Sequence, residues 1–264
     1  MLLRRILLIV CVLFFSVSIL KAEDIKIVNI PYKTKDSNIT LTLTAKDSRA
    51  VVIYLGGGTG LFGWGESKTY STFPVSKAVL DLHQKNITVV APDWPYSMKI
   101  EKGGFDMVCG MRCSDETQER LLNILDYVLK TFPNQPVWIV GHSNGSISVQ
   151  YFTKFLKKLN RLSDIKGVVI SGSRAETRID LPELRVAMLH HKNDNCQYTN
   201  HSIAESVFKY NKKWLGDNIS IDWVVGGHNG GYWDSKGLCI GGKHSYEGAE
   251  DEVTAKLENI ISNK

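Results

Sequence analysis

The sequence predicts an α/β fold, namely a mostly parallel, eight-stranded sheet with helices on both faces. Short runs of apolar, often β-branched residues alternate with segments whose apolar residues recur at helical spacing. These runs are nearly continuous in apolar residues, as strands covered on both faces require. We place the buried strands at residues 50–55, 87–91, 137–140, 167–171 and 185–190, and a last strand at 219–225.

The remaining elements complete this pattern. Residues 25–30 and 39–45 are predicted to be half-exposed antiparallel strands at a sheet edge, because the second run alternates threonine with apolar residues. A helix is predicted after Asp115, with Gln118 completing a capping box, and another at the C-terminus, where Val253 and Leu257 lie at helical spacing. Only about a dozen residues separate positions 171 and 185, so we predict no large lid domain.

The N-terminal segment has the pattern of an export signal. Arg4 and Arg5 precede an apolar run at residues 6–20, which closes on Ala22. Because this run is shorter than the ~18 residues of a membrane-spanning helix, we predict a cleaved signal peptide at residues 1–22. Residues 23–264 would then form the α/β domain of a secreted or periplasmic protein that has no membrane contact after cleavage, an uncleaved anchor being the alternative.

The charge of the mature chain argues against a nucleic-acid partner. Loss of residues 1–22 lowers the formal net charge from +5 to about +2. Binding to nucleic acid requires clustered cations that neutralise phosphates. The densest basic run, at residues 154–161, is interpreted as the solvated face of a helix.

Four cysteines remain after processing, and an exported chain with an even number of them predicts two disulfides. Three pairings are possible. We favour Cys109 with Cys113, because both lie in one short loop, and Cys196 with Cys239. A metal site or redox pair at Cys109 and Cys113 is disfavoured, since a redox motif has two intervening residues rather than three and no histidine lies nearby.

The strongest chemical motif is Gly-His-Ser-Asn-Gly at residues 141–145, between a predicted strand and a predicted helix. A sharp strand-to-helix turn lifts the serine oxygen clear of the sheet, and the flanking glycines allow the tight fold. Ser143 is therefore the predicted nucleophile. The helix dipole behind it favours developing negative charge.

Acyl transfer also needs donors for the oxyanion. The backbone N–H of Asn144, directly after the nucleophile, is predicted to supply one. The second is expected from the glycine-rich turn at residues 56–60, through Gly57 or Gly58. A phosphate-binding loop is the alternative, but the Lys and Ser/Thr ending of a P-loop is missing.

Asp194 is the predicted acid, because it follows a strand at the carboxyl edge of the sheet, where sites of open α/β sheets are built. Asp222, inside the last strand, is worse placed. A metal cluster of His190, His191, Asp194 and His201 is disfavoured, because adjacent histidines in a strand point to opposite faces. We predict no metal and no cofactor.

Two histidines compete for the role of base. Position alone favours His228, directly after the last strand. A bond between Cys196 and Cys239 favours His244 instead, because it would join the loop of Asp194 to the loop of His244. From the residues alone, both remain open.

Several segments together resemble a group of exported, largely uncharacterised bacterial α/β-hydrolase-like proteins. They are residues 141–145, the glycine turn at 56–58, residues 190–196, and the run from 239 to 253. The resemblance implies the α/β-hydrolase fold, with Ser143, Asp194 and His244 as a catalytic triad. The chain departs from the group in having His228 and a tryptophan-bearing insertion at residues 230–236, which keep His228 open.

These features predict a serine hydrolase that cleaves ester or amide bonds through an acyl-enzyme. Its substrate would be a small molecule or an exposed polymer ester. A serine peptidase or an acyltransferase would share the triad, whereas a non-catalytic binding protein would need only the pocket. The sequence makes no prediction of oligomeric state.

Overall fold

The computed structural model describes residues 25–33, 36–58, 60, 62–64, 74–93, 110–228, 232–233 and 239–263. The predicted signal peptide at residues 1–22 and Cys109 lie outside them, so the proposed domain boundary stays a prediction. Within the described residues, eight strands form one sheet and two short strands form a separate pair. They are β1 (Ile25–Tyr32), β2 (Asp36–Leu43), β3 (Val51–Leu55), β4 (Thr88–Pro92), β5 (Val137–His142), β6 (Gly167–Ser171), β7 (Val186–His191), β8 (Ile219–Val224), β9 (Tyr232–Trp233) and β10 (Cys239–Ile240).

The described part of the chain also contains five α-helices. They are α1 (Pro74–Leu80), α2 (Asp115–Thr131), α3 (Asn144–Lys158), α4 (His201–Leu215) and α5 (Glu250–Ser262). None of the described helices combines the length and apolar character that would be needed to span a membrane.

The sheet has the predicted architecture. Its strand order is β1-β2-β4-β3-β5-β6-β7-β8. Strand β2 runs antiparallel to both β1 and β4, whereas the neighbours from β4 to β8 pair in parallel. The mostly parallel eight-stranded sheet, with the two N-terminal strands at one edge, is thus confirmed.

The central strands are covered on both faces. In β3, Val51, Ile53 and Leu55 pack into one core, and Val52 and Tyr54 pack into the other. Successive side chains of a strand point to opposite faces. Helices α2, α3 and α4 contribute to the first core, and α1 and α5 to the second, which explains why these strands are continuously apolar.

The start of α2 differs from the prediction. Its N-cap is Ser114, whose Oγ accepts a hydrogen bond from the Thr117 N–H at 3.2 Å. The predicted capping box of Asp115 with Gln118 is wrong, because Asp115 is already the first residue of the helix. Only the residue before the helix has the extended backbone that lets its side chain reach the free N–H groups.

The connection from β6 to β7 carries no lid. It spans residues 172–185, all of which are described, and no helix occurs within it. The prediction that no large lid is inserted here is confirmed. The carboxyl end of β6 is therefore bordered by a short, irregular segment.

One of the two predicted disulfides is present within the described residues. Cys196 and Cys239 are bonded, with Cα atoms 5.6 Å apart, which joins the segment after β7 to β10. Cys113 is also disulfide-bonded. Because Cys109 lies outside the described residues, its pairing with Cys113 stays a prediction.

The basic run at residues 154–161 lies on α3 and in the turn that follows it. Lys154 Nζ lies 3.4 Å from Asp180 Oδ1, and Arg161 contacts the carboxylates of Asp126 and Asp164. Lys157 and Lys158 are exposed, in agreement with the predicted solvated helix face.

Candidate active site

Ser143 occupies the turn between β5 and α3. Its backbone has φ 53° and ψ −119°, a conformation that costs free energy in a residue with a side chain. The turn is held by its surroundings, because the Ser143 N–H donates to the Ser171 carbonyl at 2.8 Å. Ser143 remains partly exposed, whereas its neighbours His142 and Asn144 are buried.

The glycines of the motif are required by close packing. A Cβ on Gly145 would lie 2.0 Å from the Leu55 carbonyl oxygen, and a Cβ on Gly141 would lie 2.4 Å from the Gly145 carbonyl oxygen. Neither distance is compatible with a side chain. The spacing of the motif therefore follows from how tightly α3 starts against β3 and β5.

Asp194 and His244 form a buried pair. Asp194 Oδ2 lies 3.0 Å from His244 Nδ1, and both residues are buried. Asp194 lies just beyond the carboxyl end of β7, and His244 lies in the short helical turn Gly242–Ser245 after β10. The disulfide between Cys196 and Cys239 connects these two segments.

The hydrogen bonds of Asp194 define the protonation of the pair. Burial alone would raise the pKa of Asp194, but the hydrogen bond from His244 and the N–H of Cys196 more than offset this and hold it below its usual value. The carboxylate is thus ionised and can only accept. His244 Nδ1 must carry the proton that it donates, which leaves Nε2 as the basic nitrogen in the neutral ring.

His244 lies next to the serine turn. Its ring centroid is 5.0 Å from that of His142, the residue before Ser143. A Cβ placed on Gly172, which follows the carbonyl bonded by Ser143, would lie 3.2 Å from His244 Cε1. The lack of a side chain at Gly172 thus makes room for both imidazoles.

The surroundings of His228 differ from those of His244. It is exposed, its N–H donates to the Glu247 carbonyl at 2.8 Å, and its ring lies against Gly248, where a Cβ would come within 2.5 Å of His228 Cδ2. Asp222 lies within β8, as expected. The structure therefore joins Asp194 to His244 and supports His244 over His228, although the catalytic role of either remains a prediction.

The predicted oxyanion donors lie beside the serine. A Cβ on Gly57 would lie 3.0 Å from Ser143 Cβ, so the glycine turn contacts the serine turn directly. Asn144 Nδ2 donates to the Gly58 carbonyl at 3.1 Å. Asn144 is also the first residue of α3, where backbone N–H groups have no partner within the helix.

Solved structures with this architecture include several hydrolases. A dienelactone hydrolase from Anabaena variabilis has a TM-score of 0.61 and 12% identity, with coverage of 90% of this chain and 96% of the other. An esterase from Pyrococcus furiosus has a TM-score of 0.58 and 14% identity, with coverage of 90% of this chain and 89% of the other. A serine hydrolase without a lid from Xanthomonas campestris has a TM-score of 0.57 and 14% identity, with coverage of 90% of this chain and 94% of the other. The chain has the α/β-hydrolase fold.

At these identities the likeness establishes the fold alone. No protein-family model matches the chain, and no curated protein matches its sequence. Neither comparison therefore assigns a reaction to the side chains of this α/β-hydrolase fold protein.

Thr199 is a site residue that the sequence did not reveal. Its Oγ1 donates to Asp194 Oδ2 at 2.9 Å and lies 2.9 Å from His244 Nδ1. Because the hydroxyl has a single proton, which the carboxylate receives, it can only accept from His244. Thr199 thus bridges acid and imidazole, and its carbonyl accepts from His190 Nε2 at 2.6 Å.

His142 belongs to a second hydrogen-bonded chain. Tyr246 donates its hydroxyl proton to the Leu189 carbonyl at 2.8 Å and must therefore accept from Ser171 Oγ, also at 2.8 Å. Ser171 has then used its own proton, so His142 Nδ1, 3.2 Å away, donates to it. This series of hydrogen bonds fixes the tautomer of His142, the residue before Ser143, with the proton on Nδ1.

Two histidines of the hypothetical metal cluster, His190 and His191, donate to backbone carbonyls. His190 donates to the Thr199 carbonyl, and His191 Nε2 donates to the Gly226 carbonyl at 2.6 Å. Asp194, Cys196 and His244 do place potential ligand atoms within 4.8 Å of one another. The Cys196 sulfur, however, is bonded to Cys239 and offers no thiolate, so this group carries no argument for a metal.

Proposed function

We propose that this chain is a serine hydrolase that cleaves ester bonds, with Ser143 as nucleophile, His244 as base and Asp194 orienting the base. The observation that carries the proposal is the buried contact of 3.0 Å between Asp194 Oδ2 and His244 Nδ1, next to a serine held in a strained turn. Structures of the same fold described as an esterase and a serine hydrolase give further support.

The proposed reaction follows from these groups. His244 Nε2 takes the proton of Ser143 as its Oγ attacks the ester carbonyl carbon, and the backbone N–H groups of Asn144 and Gly57 receive the resulting oxyanion. The imidazolium then donates its proton to the departing alkoxide, which leaves an acyl-enzyme. Water, deprotonated by His244, releases the acid and restores the serine, while Asp194 stays ionised throughout.

The proposed substrate is an ester of a small molecule or of an exposed polymer. The segment between β6 and β7, which is described in full, contains no helical lid, so this side of the site is not covered by one. We place the enzyme outside the cytoplasm, as the apolar N-terminal segment predicts. The disulfide between Cys196 and Cys239 supports that location, because such bonds persist in oxidising compartments.

Covalent labelling by a fluorophosphonate tests the proposal. The purified protein should be labelled, and Ser143→Ala and His244→Ala should abolish labelling while retaining the wild-type circular dichroism spectrum. His228→Ala is the matched control, since it removes an exposed imidazole, and it should be labelled at the wild-type rate. Loss of labelling in His228→Ala alone would move the base to His228, and an unlabelled, folded wild type would contradict an activated serine.

A substrate panel separates the related reactions. Aryl and alkyl esters, peptide amides, and an ester with an added alcohol acceptor would be compared at equal concentrations. The proposal expects ester hydrolysis to exceed both amide cleavage and acyl transfer to the alcohol. Preferred amide cleavage would indicate a peptidase, and preferred transfer would indicate an acyltransferase.

A further inference from the structure

Arg112 is a buried cation directly behind the glycine turn. It lies in the short helical turn Gly110–Cys113 that precedes α2 and is 5% exposed. Its Nη2 donates to the carbonyls of Gly56 and Gly58, at 3.1 and 2.9 Å, and its Nη1 donates to Ser148 Oγ at 2.8 Å. All three acceptors are neutral. Burial of a charge against neutral partners is costly, so the position of this guanidinium calls for an explanation.

The guanidinium remains charged in this environment. Burial lowers the pKa of Arg112 to about 10, which is still well above neutral pH. The backbone of Arg112 is also fixed, because Gln118 Nε2 donates to the Arg112 carbonyl at 2.7 Å. A fixed positive charge therefore lies against the turn that contacts Ser143.

Its two carbonyl contacts determine how the turn faces the serine. The C=O and N–H of a planar trans peptide point in opposite directions. Since the Gly56 carbonyl faces Arg112, the N–H of Gly57 faces away from it. Gly57 is also the residue that abuts Ser143, at 3.0 Å for a Cβ placed on it. A glycine peptide without this restraint has wide conformational freedom.

We propose that Arg112 is a positioning residue for the oxyanion-binding turn at residues 56–58. By holding the Gly56 and Gly58 carbonyls on one side, it directs the Gly57 N–H to the oxygen that becomes negative during acyl transfer. Its charge adds to the positive potential at that oxygen. This role rests on the proposed hydrolase function, and it acts through the backbone rather than by contact with the substrate.

The test compares Arg112→Lys with a matched control, Arg120→Lys. Lysine keeps the charge, but its single nitrogen cannot replace the planar guanidinium, whose Nη2 bonds both carbonyls while Nη1 bonds Ser148. Arg120 is also buried, at 2% exposed, but it binds Asn38, Glu116 and Asp36 rather than the glycine turn. For each variant, kcat and KM for an aryl ester, the melting temperature, and inhibition by a boronic acid that mimics the tetrahedral intermediate would be measured.

Arg112→Lys should lower kcat by about ten- to a hundredfold, somewhat less than deletion of an oxyanion donor. KM should change by less than about threefold, and boronic acid binding should weaken in proportion to kcat/KM. Arg120→Lys should lower the melting temperature without this loss of kcat. In Arg112→Ala, millimolar guanidinium should restore part of the lost kcat, an effect that a merely structural role would not produce.

Wild-type kcat and boronic acid affinity in Arg112→Lys would overturn the inference, as would equal losses of kcat in the two lysine variants. If Arg112→Lys does not fold, Ser148→Ala decides, because it removes one neutral contact of the guanidinium and should lower kcat by about threefold. An unchanged kcat in Ser148→Ala would then overturn the role of Arg112. A folded wild type that neither reacts with the fluorophosphonate nor hydrolyses esters would overturn the hydrolase function, and this role with it.

Discussion

Removal of the disulfide between Cys196 and Cys239 should lower the free energy of unfolding by about 4 kcal/mol. The two cysteines are 43 positions apart in the sequence. The loop-closure entropy that a crosslink removes from the unfolded chain over such a loop corresponds to about 4 kcal/mol at 25 °C. Cys196 is buried, at 4% exposed, and alanine adds no clash there because it is smaller than cysteine. The perturbation is the double variant Cys196→Ala/Cys239→Ala.

The same bond should affect catalysis. Asp194 lies two residues before Cys196, and His244 lies five residues after Cys239. Without the crosslink, the segment of His244 is still held by the hydrogen bonds of the pair and of Thr199 and by the buried Tyr246, which bonds Leu189 and Ser171. Fewer molecules then hold the imidazole in place, and kcat should fall while KM stays nearly constant.

Urea unfolding, followed by circular dichroism and by tryptophan fluorescence, measures the first effect, and steady-state kinetics with an aryl ester measures the second. A difference in unfolding free energy below about 1 kcal/mol would refute the loop-entropy reasoning. A loss of about 4 kcal/mol with wild-type kcat would instead show that the bond stabilises the fold without positioning His244.

Three further predictions concern neighbouring residues. Thr199→Val removes a hydroxyl bonded to the charged Asp194 and should lower kcat by roughly tenfold, whereas Thr199→Ser, the control in steady-state assays, should retain most activity. Burial lowers the pKa of His190 to about 4. On acidification, the unfolded chain therefore binds a proton at this histidine before the folded protein does. As the pH drops from about 6.5 towards 4, His190 should therefore contribute a loss of stability of at most about 1.4 kcal/mol per pH unit; urea titrations of His190→Gln should show a shallower slope, and an unchanged slope would count against the assignment. Gly145→Ala places a Cβ 2.0 Å from the Leu55 carbonyl and should lower the melting temperature and abolish fluorophosphonate labelling, so a stable, labelled variant would contradict the packing argument.

The fold was predictable because its signals are local. Continuous apolar runs indicate strands covered on both faces, and the alternation of Val51, Val52 and Ile53 between two cores agrees with this. The serine turn was equally predictable from the sequence, since the glycines that it requires lie within two residues of Ser143. The N-cap of α2 was misplaced by one residue, because Ser114 and Asp115 are both good capping residues and only the backbone decides between them.

The supporting residues were not predictable, because their contacts cross large sequence distances. Arg112 reaches carbonyls 54 and 56 positions earlier, and Thr199 contacts an imidazole 45 positions later. No spacing rule links such positions, and arginine and threonine are common on surfaces. The pairing of Asp194 with His244, 50 positions apart, was indicated by the two cysteines that mark the same segments and by the resemblance to exported α/β-hydrolase-like proteins, and not by spacing.

The contact between His142 and His244 explains how two adjacent imidazoles can differ in role. Burial lowers the pKa of His142 well below its usual value, and the neighbouring His244 lowers it further. His142 therefore remains neutral, and its single ring proton lies on Nδ1, which donates to Ser171. In the proposed reaction, a second cation about 5 Å from His244 would oppose protonation of its imidazole. Of these two rings, only His244 contacts a carboxylate, so the mechanism proposed above would stabilise the proton from Ser143 on His244 alone.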